Sequence, residues 1–93
     1  MALLDLLGRR WALRILWELR DGPASFRALR QRADDVSPSV LLARLVELRD
    51  AEIVELEAPH GYRTTRHGQA LLEALAPLQA WATAWGRRAL VNR

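Results

Sequence analysis

Fourteen arginines and no lysine supply the cationic chemistry of this 93-residue sequence. A guanidinium is a planar fork that donates two parallel hydrogen bonds, which suits phosphate oxygens and the major-groove edge of guanine. Exclusive use of arginine also follows from genomic base composition, so the distribution of charge says more than its identity. Residues 1–33 hold seven arginines against three acids (+4), residues 34–60 two against seven (−5), and residues 61–93 five against one (+4), for a net +3. A DNA binder concentrates positive charge on its docking face. Here two basic flanks enclose an acidic middle.

Other chemistries lack their residues. There is no cysteine, which removes disulfides, thiolate metal sites, a Cys nucleophile and a thiol redox switch. His60 reads as a turn residue, and His67 has no Cys or second nearby His with which to share a metal. Glu55 and Glu57 alternate along a strand as a solvated face would. No nucleophile–base pair, metal-ligand spacing or Gly-rich phosphate loop is present. The sequence therefore points to a non-enzyme with no catalytic residue, no metal and no cofactor. No apolar run is long enough for a membrane span. The opening Met-Ala-Leu-Leu-Asp-Leu-Leu-Gly places Asp5 in its apolar stretch and the arginines after it, the reverse of a signal peptide. A cytoplasmic protein is expected.

The elements that must position these side chains fit one domain spanning residues 1–93. Leu3, Leu4, Leu6 and Leu7 make a short helix ended by Gly8. Arg9 to Arg20 reads as a second helix, with Trp11, Ile15, Leu16 and Leu19 on one face and Leu13 and Trp17 on another. Asp21-Gly22-Pro23 stops it. Ser25 is an N-cap for a third helix to about Ala33, with Phe26 and Leu29 inward and Arg27, Arg30 and Arg32 toward solvent. Asp34-Asp35 breaks the pattern. Ser37-Pro38 then starts a fourth helix, whose Val40, Leu41, Leu45 and Leu48 face the core through about Asp50. Two helices joined by so short a turn form a helix-turn-helix over about 25–50. Ile53, Val54 and Leu56, the turn Pro59-His60-Gly61 and Tyr62-Arg63-Thr64 make a hairpin over about 53–64. Thr65 caps a last helical region to about 90, carrying Leu71, Leu72, Leu75, Leu78, Trp81 and Trp85, and Pro77 is expected to kink or divide it. The fold expected is mainly α with a small β-hairpin (α+β), a winged helix-turn-helix.

The residues narrow this further. Asp5-Leu6-Leu7-Gly8-Arg9-Arg10-Trp11, then Ile15-Leu16 and Leu19, resembles the opening signature of the HxlR family of winged-helix regulators. Asp21-Gly22-Pro23, Phe26, Leu29-Arg30, Val36-Ser37, Val40-Leu41, Arg44-Leu45, Glu47-Leu48 and Ile53-Val54-Glu55 continue it. Tyr62, Thr65, Gly68, Leu71 and Trp81 extend it over nearly the whole chain. The resemblance implies a transcriptional regulator that binds double-stranded DNA at a palindromic operator as a homodimer, joined through its first and last helices. Residues 37–50 become the recognition helix, with half-sites about one helical turn apart.

In that frame Arg44 is a candidate to donate to a guanine edge or phosphate, or it pairs with Glu47 or the preceding helix. Ser37 and Ser39 are candidates to bind phosphate at the helix start, while Ser37 also caps. Arg27 and Arg30 flank the turn, and Arg63 and Arg66 sit at the base of the hairpin, all as candidate phosphate contacts. Leu3, Leu7, Trp17, Leu78, Trp81 and Trp85 are the candidate dimer interface, since three tryptophans beyond a core Trp11 exceed the need of one small core. The same tryptophans could instead line a small-molecule pocket.

Three departures from the family pattern stand out. The family carries a Cys in an arm before the first helix, and this chain begins too late to have that arm, so thiol sensing is not expected. The hairpin is short and offers His60, Glu55 and Glu57 in place of a basic loop, which weakens the case for a wing in the minor groove. Ser39, Leu42 and Ala43 stand where polar side chains are usual, leaving an apolar outer face with Val46. That face and the acidic middle keep open a module used for protein–protein interaction or small-molecule sensing, with weak or no DNA binding.

Overall fold

Leucine spacing and three hydroxyl caps account for most of the architecture. The computed structural model describes residues 2–91, with side chains described over 5–87. In chain order it holds α1 (Ala2–Leu7), α2 (Ala12–Glu18), α3 (Phe26–Arg32), α4 (Pro38–Asp50), β1 (Val54–Glu57), β2 (Gly61–Thr64) and α5 (Arg66–Val91). This is the mainly helical fold with one hairpin that the sequence pattern implies, a winged helix-turn-helix. Ile15, Leu16 and Leu19 near α2, Leu29 of α3, Leu41, Leu45 and Leu48 of α4 and Val54 of β1 are fully buried, and Leu72 closes the cluster from α5. Truncating such a leucine to alanine costs about 2–5 kcal/mol.

The caps fall where the sequence puts them. Ser25 Oγ accepts from the Ala28 N–H at 3.1 Å, Ser37 Oγ from Val40 at 3.3 Å, and Thr65 Oγ1 from Gly68 at 3.1 Å. Each satisfies a backbone donor that the first turn of a helix leaves unpaired.

β1 and β2 pair antiparallel, Val54 opposite Thr64 and Glu57 opposite Gly61. Ala24 exchanges two backbone hydrogen bonds of 2.9 Å with Tyr62, so the segment ahead of α3 adds one bridge to the hairpin. Two glycines make these junctions possible. Gly61 has φ +96°, and a Cβ there would lie 2.6 Å from the Ala24 carbonyl oxygen. A Cβ on Gly68 would lie 2.1 Å from the Ile53 carbonyl oxygen, so only glycine lets α5 approach the start of the wing.

Two elements differ from expectation. The second helix starts at Ala12, not Arg9, because Trp11 adopts a left-handed backbone (φ 77°) that ends the turn after α1. The last helix is undivided: α5 runs 26 residues through Pro77. Proline removes one hydrogen bond, to the carbonyl one turn back. Leu71, Leu72 and Leu75 anchor the preceding turns on the core, and the helix continues past the loss. From Ala76 to Trp85 every residue of α5 is exposed. A helix of this length spans about 39 Å, close to the 47 Å long axis of the molecule.

Candidate nucleic-acid interface

The turn between α3 and α4 is held from three sides, which fixes the direction in which α4 points. Asp34 and Asp35 take left-handed φ of 56° and 57°, a region that Asp tolerates better than most residues. The Asp35 N–H donates to the Arg30 carbonyl at 2.8 Å. Arg30 Nε donates to the Val36 carbonyl at 2.9 Å, so this arginine, expected to face solvent, is half-buried and spans the turn. Arg14 reaches across from α2 to the Asp34 carboxylate at 3.2 Å and to the Arg32 carbonyl at 2.7 Å.

On α4 the core side is Leu41, Leu45 and Leu48, and the opposite side carries Ser39, Leu42, Ala43 and Val46. Leu42 is 51% exposed and Val46 45%. Arg44 lies on the flank. Its side chain is 17% exposed, its Nη2 pairs with Glu47 at 3.3 Å, and its Nε is buried with no hydrogen-bond partner. Arg9, in the turn after α1, pairs with the same Glu47 at 3.4 Å. The pairing with Glu47 that the sequence offers for Arg44 is present in the free chain. Ser37 and Ser39 are exposed at the start of α4, their hydroxyls 3.5 Å apart.

Arg27 on α3 and Arg66 at the start of α5 are exposed. Arg63 is engaged: its Nε donates to Glu55 at 2.6 Å, and its Nη1 pairs with Glu57. The Glu55 hydrogen bond, opposed by partial desolvation and helped by the field of Glu57, pushes the Arg63 guanidinium above its ordinary value. The solvated glutamate face expected from the sequence is thus an ion-pair ladder across the hairpin. The signal was there in part, since the register sets Glu55 directly opposite Arg63. Reading the residues one by one also passed over Arg49, exposed in the last turn of α4.

The candidate dimer residues divide into two groups. Leu78, Trp81 and Trp85 are 57–60% exposed on the outer half of α5, and the two indoles stack with centroids 6.0 Å apart and planes 9° apart. Trp17 and Leu7 are half-buried, and Trp17 packs on the core beneath the Arg20 guanidinium, 4.1 Å from its ring centroid. The Leu3 side chain lies outside the described residues. Trp11, expected in the core, packs against it half-buried.

A groove of about 400 Å³ between α2 and α5 is lined by Leu13, Arg14, Trp17, Glu18 and Gln79. Among the described residues no three His, Cys, Asp or Glu side chains gather as metal ligands, and no helix is long and apolar enough to cross a membrane.

Comparison with known proteins gives one consistent family. The sequence profile of the HxlR-like helix-turn-helix family matches residues 6–90. The HTH-type transcriptional regulator YodB of Bacillus subtilis (strain 168) is 39% identical over 84 residues, 84% of this chain and 75% of YodB. The crystal structure of quinone-bound YodB superposes with a TM-score of 0.80 at 36% identity, covering 89% of this chain and 92% of the YodB chain. A possible HxlR family transcriptional factor from Thermoplasma volcanium GSS1 gives a TM-score of 0.83 at 26% identity, covering 90% and 81%.

Proposed function

The chain belongs to the HxlR-like helix-turn-helix family and is a DNA-binding transcriptional regulator, and from that premise we propose that it acts as a homodimer on a palindromic operator in the cytoplasm. α4 enters the major groove by its N-terminal turns, and Ser37, Ser39, Arg27 and Arg66 hold the flanking phosphates. Arg44 supports α4 through Glu47, and Arg30 supports the turn. Arg63 is kept from phosphate by its two glutamates.

The observation that carries the dimer is the outer half of α5. Leu78, Trp81 and Trp85 repeat at three and four residues and are more than half exposed, the two indoles stacked on each other at the surface. Large aromatics on a projecting helix bury about 150–250 Å² each when covered, and a two-fold axis uses each of them twice. Such a dimer carries two α4 helices, and two helices one DNA turn apart need a palindrome. Selection of bound duplexes from a random pool tests this directly. An inverted repeat with half-sites about 10 base pairs apart is expected; a single unrepeated site refutes the dimeric mode.

The reading extends to an effector. YodB has been crystallised with a quinone bound, and on this chain the groove lined by Leu13, Arg14, Trp17, Glu18 and Gln79 is the place where a small aromatic ligand would lie against an indole. None of these 93 residues is a cysteine, so none of them can hold such a ligand through a thiol bond. Quenching of tryptophan fluorescence by a panel of quinones reports it, and a flat response across the panel argues against this part.

A further inference from the structure

The face of α4 turned away from the core is apolar, and we propose that it reads thymine. Leu42 and Val46 pack on C5-methyl groups in the major groove, so the regulator selects T·A pairs at the centre of each half-site. The proposal rests on the DNA-binding reading above and adds which bases are read.

Four observations converge on it. First, Leu42 and Val46 are 51% and 45% exposed, side by side on a helix otherwise capped, anchored and aimed as a recognition helix. They lie four residues apart, about 6 Å along the axis, which is close to two base-pair steps of about 3.4 Å. Second, the methyl of thymine is the one apolar group that the four bases display on the major-groove edge. An aliphatic side chain laid against guanine or cytosine leaves their donors and acceptors dehydrated and unpaired, which selects against them. Third, the residue that would read guanine is withdrawn. Arg44, the one arginine in the body of α4, is 17% exposed and paired with Glu47 at 3.3 Å. Arg49, three residues beyond Val46, lies in the last turn, away from the N-terminal part that meets base edges. Fourth, Ser39, exposed one turn before Leu42, is short and serves either base as donor or acceptor, so it adds no preference for guanine. Up to Val46 the face contains small and aliphatic groups, and the one guanidinium that shares it, exposed Arg49, follows only in the last turn of the helix.

The test uses the duplex recovered from the random pool, resynthesised with deoxyuridine for thymidine within the half-sites. Uracil keeps the pairing edge and the O4 acceptor and lacks only the methyl. Affinity of the unmodified protein is expected to fall about fourfold for each contacted methyl removed, the value of one buried methylene, and substitution outside the half-sites should leave it unchanged. Leu42→Ala and Val46→Ala, both at exposed positions, should bind the thymine duplex weakly and lose their sensitivity to uracil at the step each one contacts. Circular dichroism checks that both remain folded. Equal affinity of the unmodified protein for thymine and uracil duplexes overturns the proposal, as do recovered half-sites with G·C at their centres. Leu42→Glu should abolish binding; if it leaves DNA affinity intact, the face serves another class of partner, such as a protein, and the thymine assignment falls. A pool with no enriched sequence overturns the DNA-binding reading itself, whereas an enriched site indifferent to uracil overturns only this inference.

Discussion

Removing the two wing carboxylates, Glu55→Gln with Glu57→Gln, should tighten DNA binding. In the folded chain these side chains hold Arg63, Glu55 at 2.6 Å from its Nε and Glu57 at its Nη1, so the three groups together carry a charge of −1. The raised pKa of Arg63, caused first by the Glu55 hydrogen bond, keeps the guanidinium charged at any working pH, so the clamp is not released by deprotonating the arginine. All three side chains are 41–44% exposed, which makes their effect on DNA a screened, salt-dependent one. With both glutamates neutral the wing carries +1, and Arg63 is free to reach a phosphate. One added phosphate contact contributes about 0.9 to the slope of log affinity against log salt, or about eightfold at 0.1 M relative to 1 M salt. Two wings in a dimer give about sixtyfold, with the slope steeper by about 1.8. Fluorescence polarisation of a labelled duplex at several salt concentrations measures both quantities, and thermal melts verify that the hairpin survives. Unchanged affinity with an unchanged slope would mean that the wing never approaches the backbone, and the argument from the clamp would be wrong.

Three further outcomes follow from the same geometry. Trp81→Ala with Trp85→Ala should dissociate the dimer: an interface anchor is worth about 2 kcal/mol or more and each position counts twice, so even one substitution weakens association about a thousandfold by sedimentation equilibrium, and an unchanged dimer would move the interface elsewhere. Arg44→Ala should leave base preference unaltered in a repeated pool selection, because that side chain is paired with Glu47; loss of a guanine at one position, worth about 1–3 kcal/mol, would return Arg44 to base reading. Gly68→Ala should cost about 3 kcal/mol, since its Cβ would stand 2.1 Å from the Ile53 carbonyl oxygen. That corresponds to a fall in melting temperature of about 12–24 °C, and a near-native melt would refute the close approach.

What was legible in the sequence was local. Ser25, Ser37 and Thr65 cap because each precedes an apolar stripe of helical period, and the capping bond closes within three residues. Leu41, Leu45 and Leu48 share a face for the same reason. What was not legible depends on residues distant along the chain. The pairing of Arg44 is settled jointly by Glu47 and by Arg9, which arrives from the turn after α1. Arg30 is drawn inward by the carbonyl of Val36, on the far side of a turn whose left-handed aspartates no periodicity announces. The left-handed Trp11 backbone, which shortens α2, has no signal in the helical spacing of residues 9–20. Pro77 does not divide α5, because a rule about one hydrogen bond says nothing of the turns on either side that keep the helix continuous. The apolar outer face of α4 was visible from the start; the exposure of Leu42 and Val46 and the withdrawal of Arg44 turn it from an oddity into a candidate reading surface.

The central claim is that two copies of this chain grip one duplex, and the complex with the recovered palindrome tests it most directly. Its stoichiometry and salt dependence can be read from a single series of titrations. Two chains per duplex are expected. With Arg27 and Arg66 from each protomer neutralising four phosphates, log affinity should fall by about 3.6 for each tenfold rise in salt. One chain per duplex contradicts the dimer, and affinity indifferent to salt contradicts the DNA contact altogether.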